Sequence, residues 1–582
     1  MAAERGTPGP APGEATTARA PLAPSLVVAL AVLALAMREH RHLAAYRGRI
    51  FQLLFARNEP AGAALLFAVL VVAAVVGRRL PAAVLQLPAR LGSRRATAAV
   101  VLGAVVAFVA GTLLVYEARP LAMDEYAPWF QARAFAAGHL TGQYPPDLVA
   151  RLVPPKLLFP FFAADPTTGS VASTYWPGFA LLLTPLTWLG VPWLLNPLLS
   201  GCCLLLLASL ARRLTGEDAA AGWALLFTLA SPAFTVDAIS FYPLTAHLAF
   251  NLAWMTLLVE GRAGVEPGPR LTGRPARLLA AGGVGSLALV LSNPVPHAAF
   301  ALAWLPALLR RRGWRAAAWL GIGYVPLALA LGLAWLPVRM GMQTAGDARA
   351  VGGGTLLSTA AALARNAFSW PSPSLLHARL LAIGELVTWA APLLPVLAVF
   401  GWGATGRGSP LRLLAGSAVL SLALYLFVPF DQGHGWGYRY FHPAFAALPL
   451  LGAAVLVHRR ASSWRATALA AVLLAVPLAN GLRAWQVASF IAEHRAQLPP
   501  LPPEGRALCF VSLAGGSYRV DLLQNDPFLR DRVTYLASAG FDADAALVAR
   551  RFPGARLHVR TANGSAWSLA APAPPAGERE QR

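Results

Sequence analysis

Apolar runs separated by short basic or proline-rich breaks dominate the chain. Runs at 61–77, 97–115, 191–211, 219–236, 243–260, 316–337, 386–404, 411–429, 443–457 and 466–485 approach the roughly 20 residues that a helix needs to cross a hydrocarbon core. The run at 21–37 has the look of a signal-peptide core, but no convincing cleavage site follows it, so it is either a first span or a membrane-surface element. Residues 277–309 are too short for two comfortable spans, and Pro294 and Pro296 predict a tight turn inside them. About 12 or 13 spans result.

Three stretches break this rhythm. Residues 1–20 form a Pro/Ala/Gly/Thr tail with no packing pattern and are expected to be disordered. Between 116 and 178, Ala127, Phe130, Ala134, Phe135 and Ala137 recur at helical spacing, Asp124 and Glu125 stand side by side at the start, and Gly138 supplies a stop. The prolines and aromatics that follow predict an ordered loop, since disordered segments are poor in aromatics. From 490 onward a proline-rich linker precedes strand-like ALCFVSL, helix-like ADAALVARRF and strand-like RLHVRT. That pattern predicts a small C-terminal α/β module, too short for a large core of its own and therefore packed on the membrane domain of 21–489.

Composition agrees with the pattern. At 57% hydrophobic and 13% charged residues, with mean hydropathy +0.55, the chain is a polytopic, all-α membrane protein. Its net charge of +22 is carried almost entirely by arginine, Lys156 being the only lysine. The arginines cluster between apolar runs, as at Arg78, Arg79, Arg90, Arg94, Arg95, Arg212, Arg213, 310–312, Arg459 and Arg460, and read as cytoplasmic anchors in a lipid bilayer, so no nucleic-acid partner is required. Counting spans from them puts 116–178, 338–385, 430–442 and 490–582 on one external face. Arginine in place of lysine and the alanine bias are consistent with a high-GC bacterium, and so with a cytoplasmic (inner) membrane. Cys202, Cys203 and Cys509 have neither a disulfide framework nor zinc spacing.

Few residues can carry chemistry. Asp124 can cap the following helix while Glu125 favours its positive end. The segment FDQGHGWGYRYFHP at 430–443 gathers Asp431, His434, Tyr438, Arg439 and His442 with three glycines. Arg439 can grip a phosphate bidentately, with the glycines leaving room for a headgroup, or anchor the chain at the interface beside Trp and Tyr. His434 and His442 lack metal-ligand spacing. Lys156 can meet a phosphate or be a solvated surface charge. Asn293 and His297 are expected to satisfy backbone groups freed by the prolines, His247 and Asn251 to pack helices, and Asp521, Asn525 and Asp526 to serve turns and caps.

In sequence order, Asp124-Glu125, Gly138, Tyr175-Trp176-Pro177-Gly178 and Arg212-Arg213 with Gly216 resemble the GT-C superfamily of polyprenyl-phosphate-sugar-dependent glycosyltransferases, in particular its bacterial protein O-mannosyltransferase-like and lipid A aminoarabinose transferase-like branch. The likeness runs best from about 98 to 260 and departs from the usual pattern in having Trp176 where proline is commoner. It implies a GT-C-like membrane domain transferring a sugar (hexosyl or pentosyl, with inversion) from a polyprenyl-phosphate donor to a glycan, lipid or protein of the cell envelope. It also implies Asp124 as base, with Glu125 orienting it or helping to hold a divalent cation, and Arg439 with Lys156 toward the donor phosphate. Tyr175, Trp176, His434, Tyr438 and His442 are the expected substrate contacts. The alternatives are a transporter or lipid or polysaccharide flippase, which would place ionisable groups inside spans, and a noncatalytic envelope-assembly protein. The acids Asp237, Glu260 and Glu385 lie near expected span boundaries, and this favours the enzyme.

Overall fold

The computed structural model describes residues 21–46, 48–158, 160–340, 342, 368–406, 408–458, 462–514 and 518–569. The expected disordered tail and most of the expected 338–385 loop lie outside these residues; within that loop, helix already begins at Pro373. The apolar runs fold as helices: α1 (Leu22–His40), α2 (Ile50–Val76), α3 (Arg94–Leu114), then, after the segment 116–177, α5 (Gly178–Trp188), α6 (Leu195–Thr215), α7 (Asp218–Leu229), α8 (Pro232–Ile239), α9 (Leu244–Leu258), α10 (Pro275–Leu289), α11 (Leu305–Leu327), α12 (Pro373–Thr388), α13 (Leu394–Ala404), α14 (Pro410–Tyr425), α15 (Ala447–His458) and α16 (Ser462–Arg495). Among the described residues six helical segments are long and apolar enough to cross a membrane, α1 among them, and a seventh arises if α7 and α8 count as one bent span. Six further apolar helices are shorter, which is why the count falls below the expected 12–13.

Proline explains the main departure from straight spans. Pro232 cannot donate to the carbonyl four residues back, and α7 and α8 meet there at 67°. The chain then leaves α8 at Ser240 and turns through Phe241–Pro243 into α9. Asn196, at the start of α6, donates to the carbonyls of Ser240 (2.7 Å) and Tyr242 (2.9 Å) and so fixes this turn. At the other end of α6, about 30 Å away at 1.5 Å per residue, Gly216 takes φ +80° as a left-handed cap. There Arg213, Arg277 and Arg312 donate to the carbonyls of Val259, Leu257 and Leu271 around the hairpin of β4 (Val259–Arg262) and β5 (Val265–Leu271). Arg213, Arg277 and Arg312 therefore gather at one end of the helices.

A second layer covers the opposite end. It contains α4 (Met123–Ala136), the small antiparallel sheet of β1 (Gly142–Gln143), β2 (Phe162–Ala164) and β3 (Ser170–Ser173) in order β1-β3-β2, and a C-terminal four-stranded sheet. That sheet runs β7-β6-β9-β8 from β6 (Ala507–Val511), β7 (Val533–Ala537), β8 (Arg556–Thr561) and β9 (Gly564–Ser568), with α17 (Phe541–Arg551) between β7 and β8. The β6–β7 pair is parallel. The C-terminal segment does not form a core of its own: Met123, Tyr126, Phe130, Leu152 and Phe162 share one apolar cluster with Leu508, Phe510, Leu536 and Val548. Arg133 clamps the pair through Asp526 (2.7 Å) and Asp531 (2.8 Å).

Ionisable groups do occur deep in the helical bundle, contrary to the expectation that nearly all acids lie in loops or at span ends. Glu59 of α2 and Arg483 of α16 form an ion pair at 2.7 Å with both side chains about 1% exposed. Trp389 and Thr388 complete the carboxylate's partners. Asp237 of α8 meets His442 at 2.9 Å, and Glu385 of α12 accepts from Gln432. Each has a partner, so these groups hold helices together.

Candidate active site

Asp124 is the second residue of α4, where the helical bundle meets the second layer. Its Oδ2 lies 2.7 Å from a terminal nitrogen of Arg439, and its Oδ1 accepts the hydroxyl of Tyr175. Pro128 four residues on cannot donate to the Asp124 carbonyl, so the first turns of α4 are held from outside the helix. Arg439 itself is only 7% exposed. Its guanidinium stacks 5.1 Å from the Tyr242 ring centre and 5.6 Å from that of Tyr440, while its Nε has no partner. Gly435, at φ +148°, makes room for that side chain, since a Cβ there would sit 2.8 Å from the Arg439 Cδ. All three glycines of 433–437 take positive φ, and Gly437 packs against Ala233 and Trp389.

The pair opens on a cavity of about 600 Å³. Asp124, Tyr175, Tyr242, His247, Arg439 and Tyr440 supply its polar groups, and Trp176, Leu244, Val295, Phe368, Val428 and Phe430 much of its apolar wall. His247 Nε2 meets Ser292 Oγ at 2.9 Å on this wall. Burial pushes the Tyr175 hydroxyl well above its ordinary range, with the Asp124 charge adding to the effect, so tyrosine stays protonated and donates. Trp335 in turn donates its indole N–H to the Tyr175 carbonyl at 2.9 Å.

Glu125 points away from the cavity. It is fully buried, and its oxygens accept from Tyr116 Oη (2.9 Å), Phe241 N (2.8 Å), Leu121 N (2.7 Å) and Ala122 N (3.1 Å). Burial pushes its carboxyl up to about 7, while the backbone donors pull the other way. Glu125 therefore ties the end of α3, the start of α4 and the α8–α9 turn together. An acidic pair holding a divalent cation does not fit this geometry: Glu125 is saturated by donors and Asp124 is engaged by Arg439 and Tyr175. Among the described residues no group of three or more His, Cys, Asp or Glu gathers elsewhere as a metal site.

Of the other expected residues, Trp176 joins the cavity and four do not. Lys156 is exposed in a turn and lines no part of it. His434 is 2% exposed and bonds Asp521 Oδ2 at 2.7 Å. His442 pairs with Asp237 and stacks on Phe234 and Phe445. Tyr438 is 5% exposed and packs in the bundle core. Tyr242 and Ser292 had no motif to mark them, Tyr440 lay unremarked in the 430–443 segment, and His247 was expected only to pack helices. His247 and Asn251 do not form a pair with each other: Asn251 reaches His297 Nδ1 (2.7 Å) and the Pro443 carbonyl (2.9 Å). Asn293 does cap a freed backbone group, that of Val295.

The site therefore belongs to the class in which a carboxylate and a guanidinium share the mouth of a largely apolar cavity. Among solved structures, the chain is similar to ArnT from Cupriavidus metallidurans bound to undecaprenyl phosphate, at 15% identity and a TM-score of 0.48 over 81% of this chain and 99% of that one. The apo state of the same ArnT gives 14% identity and 0.46 over the same shares. No protein-family model and no curated protein matches.

Proposed function

We propose that this protein is a GT-C-type membrane glycosyltransferase that moves a sugar from a polyprenyl-phosphate donor to a glycan, lipid or protein acceptor of the cell envelope. The reading rests on the chain's own residues, and above all on the 2.7 Å contact of Asp124 with Arg439 at a mostly apolar cavity. The apolar wall suits a prenyl chain. Arg439 offers the planar, permanently charged donor set that holds a phosphate and stabilises charge growing on it. Asp124 takes the proton of the acceptor hydroxyl as that oxygen bonds to the anomeric carbon. The bond from that carbon to the phosphate oxygen breaks, and its electron pair leaves with the phosphate toward Arg439. Asp124 is the only carboxylate among the described residues lining the cavity, whereas a retaining double displacement needs two carboxyls about 5–5.5 Å apart. That lone carboxylate supports a single displacement with inversion. The face carrying α4 and the C-terminal sheets is the external one, and the membrane is the cytoplasmic membrane.

Donor-titration kinetics on purified protein test this. Arg439→Ala weakens donor binding and slows transfer by roughly 100-fold or more, and Arg439→Lys restores only part, because an ammonium cannot hold two oxygens at once. Asp124→Asn, which keeps the size of the side chain and an acceptor oxygen for Tyr175, loses roughly 100- to 10,000-fold in turnover while inserting normally. Full rescue by lysine, or near-wild-type transfer by a folded Asp124→Asn protein, would remove the residue concerned from the chemistry.

A further inference from the structure

Two segments bring the reacting pair together, the start of α4 with Asp124 and the 430–442 loop with Arg439, and one carboxylate from a third segment touches both. Asp521 lies in the C-terminal layer, between β6 and β7, and is 2% exposed. Its Oδ1 accepts the backbone N–H of Met123, the residue immediately before Asp124, at 2.9 Å. Its Oδ2 meets His434 Nε2 at 2.7 Å, in the loop that carries Arg439. The ring of His434 is boxed by Phe490, His494 and Tyr518 with centroids 5.0–5.8 Å away, so it transmits position.

We propose that Asp521 is a positioning residue: its two oxygens set the separation of Asp124 and Arg439, so the C-terminal layer is part of the catalytic apparatus. The proposal rests on the functional reading above for its kinetic consequence and on geometry alone for its structural one. The first helical N–H groups have no intrahelical acceptor. Met123 finds its acceptor in Asp521, and α4 has no side-chain cap at Ala122. The docking of the C-terminal layer does not depend on this one group. Tyr126 bonds Asn525, Gln524 donates to the Pro120 carbonyl at 3.1 Å, and Arg133 holds Asp526 and Asp531. Removing the Asp521 carboxylate should therefore loosen the pair without detaching the layer.

The experiment has a geometric arm and a kinetic arm. In a background with Cys202, Cys203 and Cys509 replaced by serine, cysteines at 124 and 439 are joined with a short bifunctional thiol reagent, with and without Asp521→Ala. The yield should fall several-fold with Asp521→Ala, fall less with Asp521→Asn, which retains one acceptor oxygen, and stay unchanged with Asp526→Ala, a docking control on the same segment. In the native-cysteine protein, Asp521→Ala should lower turnover by about 100-fold, the cost of a displacement near 1 Å. It should also weaken binding of sugar-free polyprenyl phosphate, but not in an Arg439→Ala background, because the loss acts through that arginine. An unchanged cross-linking yield, an equal fall with Asp526→Ala, or an additive loss on Arg439→Ala would overturn the proposal. A fall in yield with Asp124→Asn still fully active would keep Asp521 as the positioning group and sink the proposed chemistry instead.

Discussion

Replacing Glu125 with alanine is the sharpest test of the split between the two neighbouring acids. The carboxyl is fully buried and accepts from three backbone N–H groups and the Tyr116 hydroxyl. Each buried donor stranded without an acceptor costs about 1–3 kcal/mol, so the three N–H groups alone predict a loss of about 3–9 kcal/mol. That is a large part of the roughly 5–15 kcal/mol that keeps a typical protein folded. The loss depends on pH. Burial raises the carboxyl from 4.5 to about 7, so the folded state favours the protonated form. Its contribution is fully present below pH 4.5 and is lost as pH rises through about 7, a change of about 3 kcal/mol. Thermal unfolding in detergent between pH 4 and 8 should show the variant's deficit largest in acid and smaller by about 3 kcal/mol above neutrality. Wild-type stability in Glu125→Ala, or a deficit that does not change with pH, would refute the reasoning. A variant that is fully stable yet inactive would move Glu125 into the chemistry.

Further outcomes concern the bundle and its orientation. Arg483→Leu strands Glu59 and should cost about 3–5 kcal/mol, whereas Arg483→Leu combined with Glu59→Met should recover most of it, as read by the midpoint of thermal unfolding. In the cysteine-free background, single cysteines at Leu140 and His558, both exposed, should label with an impermeant maleimide added outside intact cells, and one at Arg274 should not. Labelling of position 274, or protection of 558, would invert the assigned faces.

What the chain states locally, its own pattern was sufficient to read. The helical spacing from Ala127 to Ala137 and the stop at Gly138 became α4, the arginines Arg212 and Arg213 became the last turn of α6 with Gly216 as its left-handed cap, and ALCFVSL and RLHVRT became strands. Asp124, Tyr175 and Trp176 could be singled out because they stand in the ordered motifs that carry the resemblance, and Arg439 because it sits among glycines and aromatics in a break between apolar runs. Tertiary structure alone decided their partners. Nothing near Asp124 announces Arg439, nothing near Met123 announces Asp521, and Glu59 and Arg483 each look misplaced until α2 packs against α16. His434, Tyr438 and His442 share a segment with Arg439 but turn elsewhere. The strands of β1–β3, two to four residues long, are too short for a period to emerge. Hydrophobic period and capping are written between neighbours a few residues apart, and so survive in sequence. A buried charge is tolerated only when a distant opposite charge or donor reaches it, and that condition is met by packing.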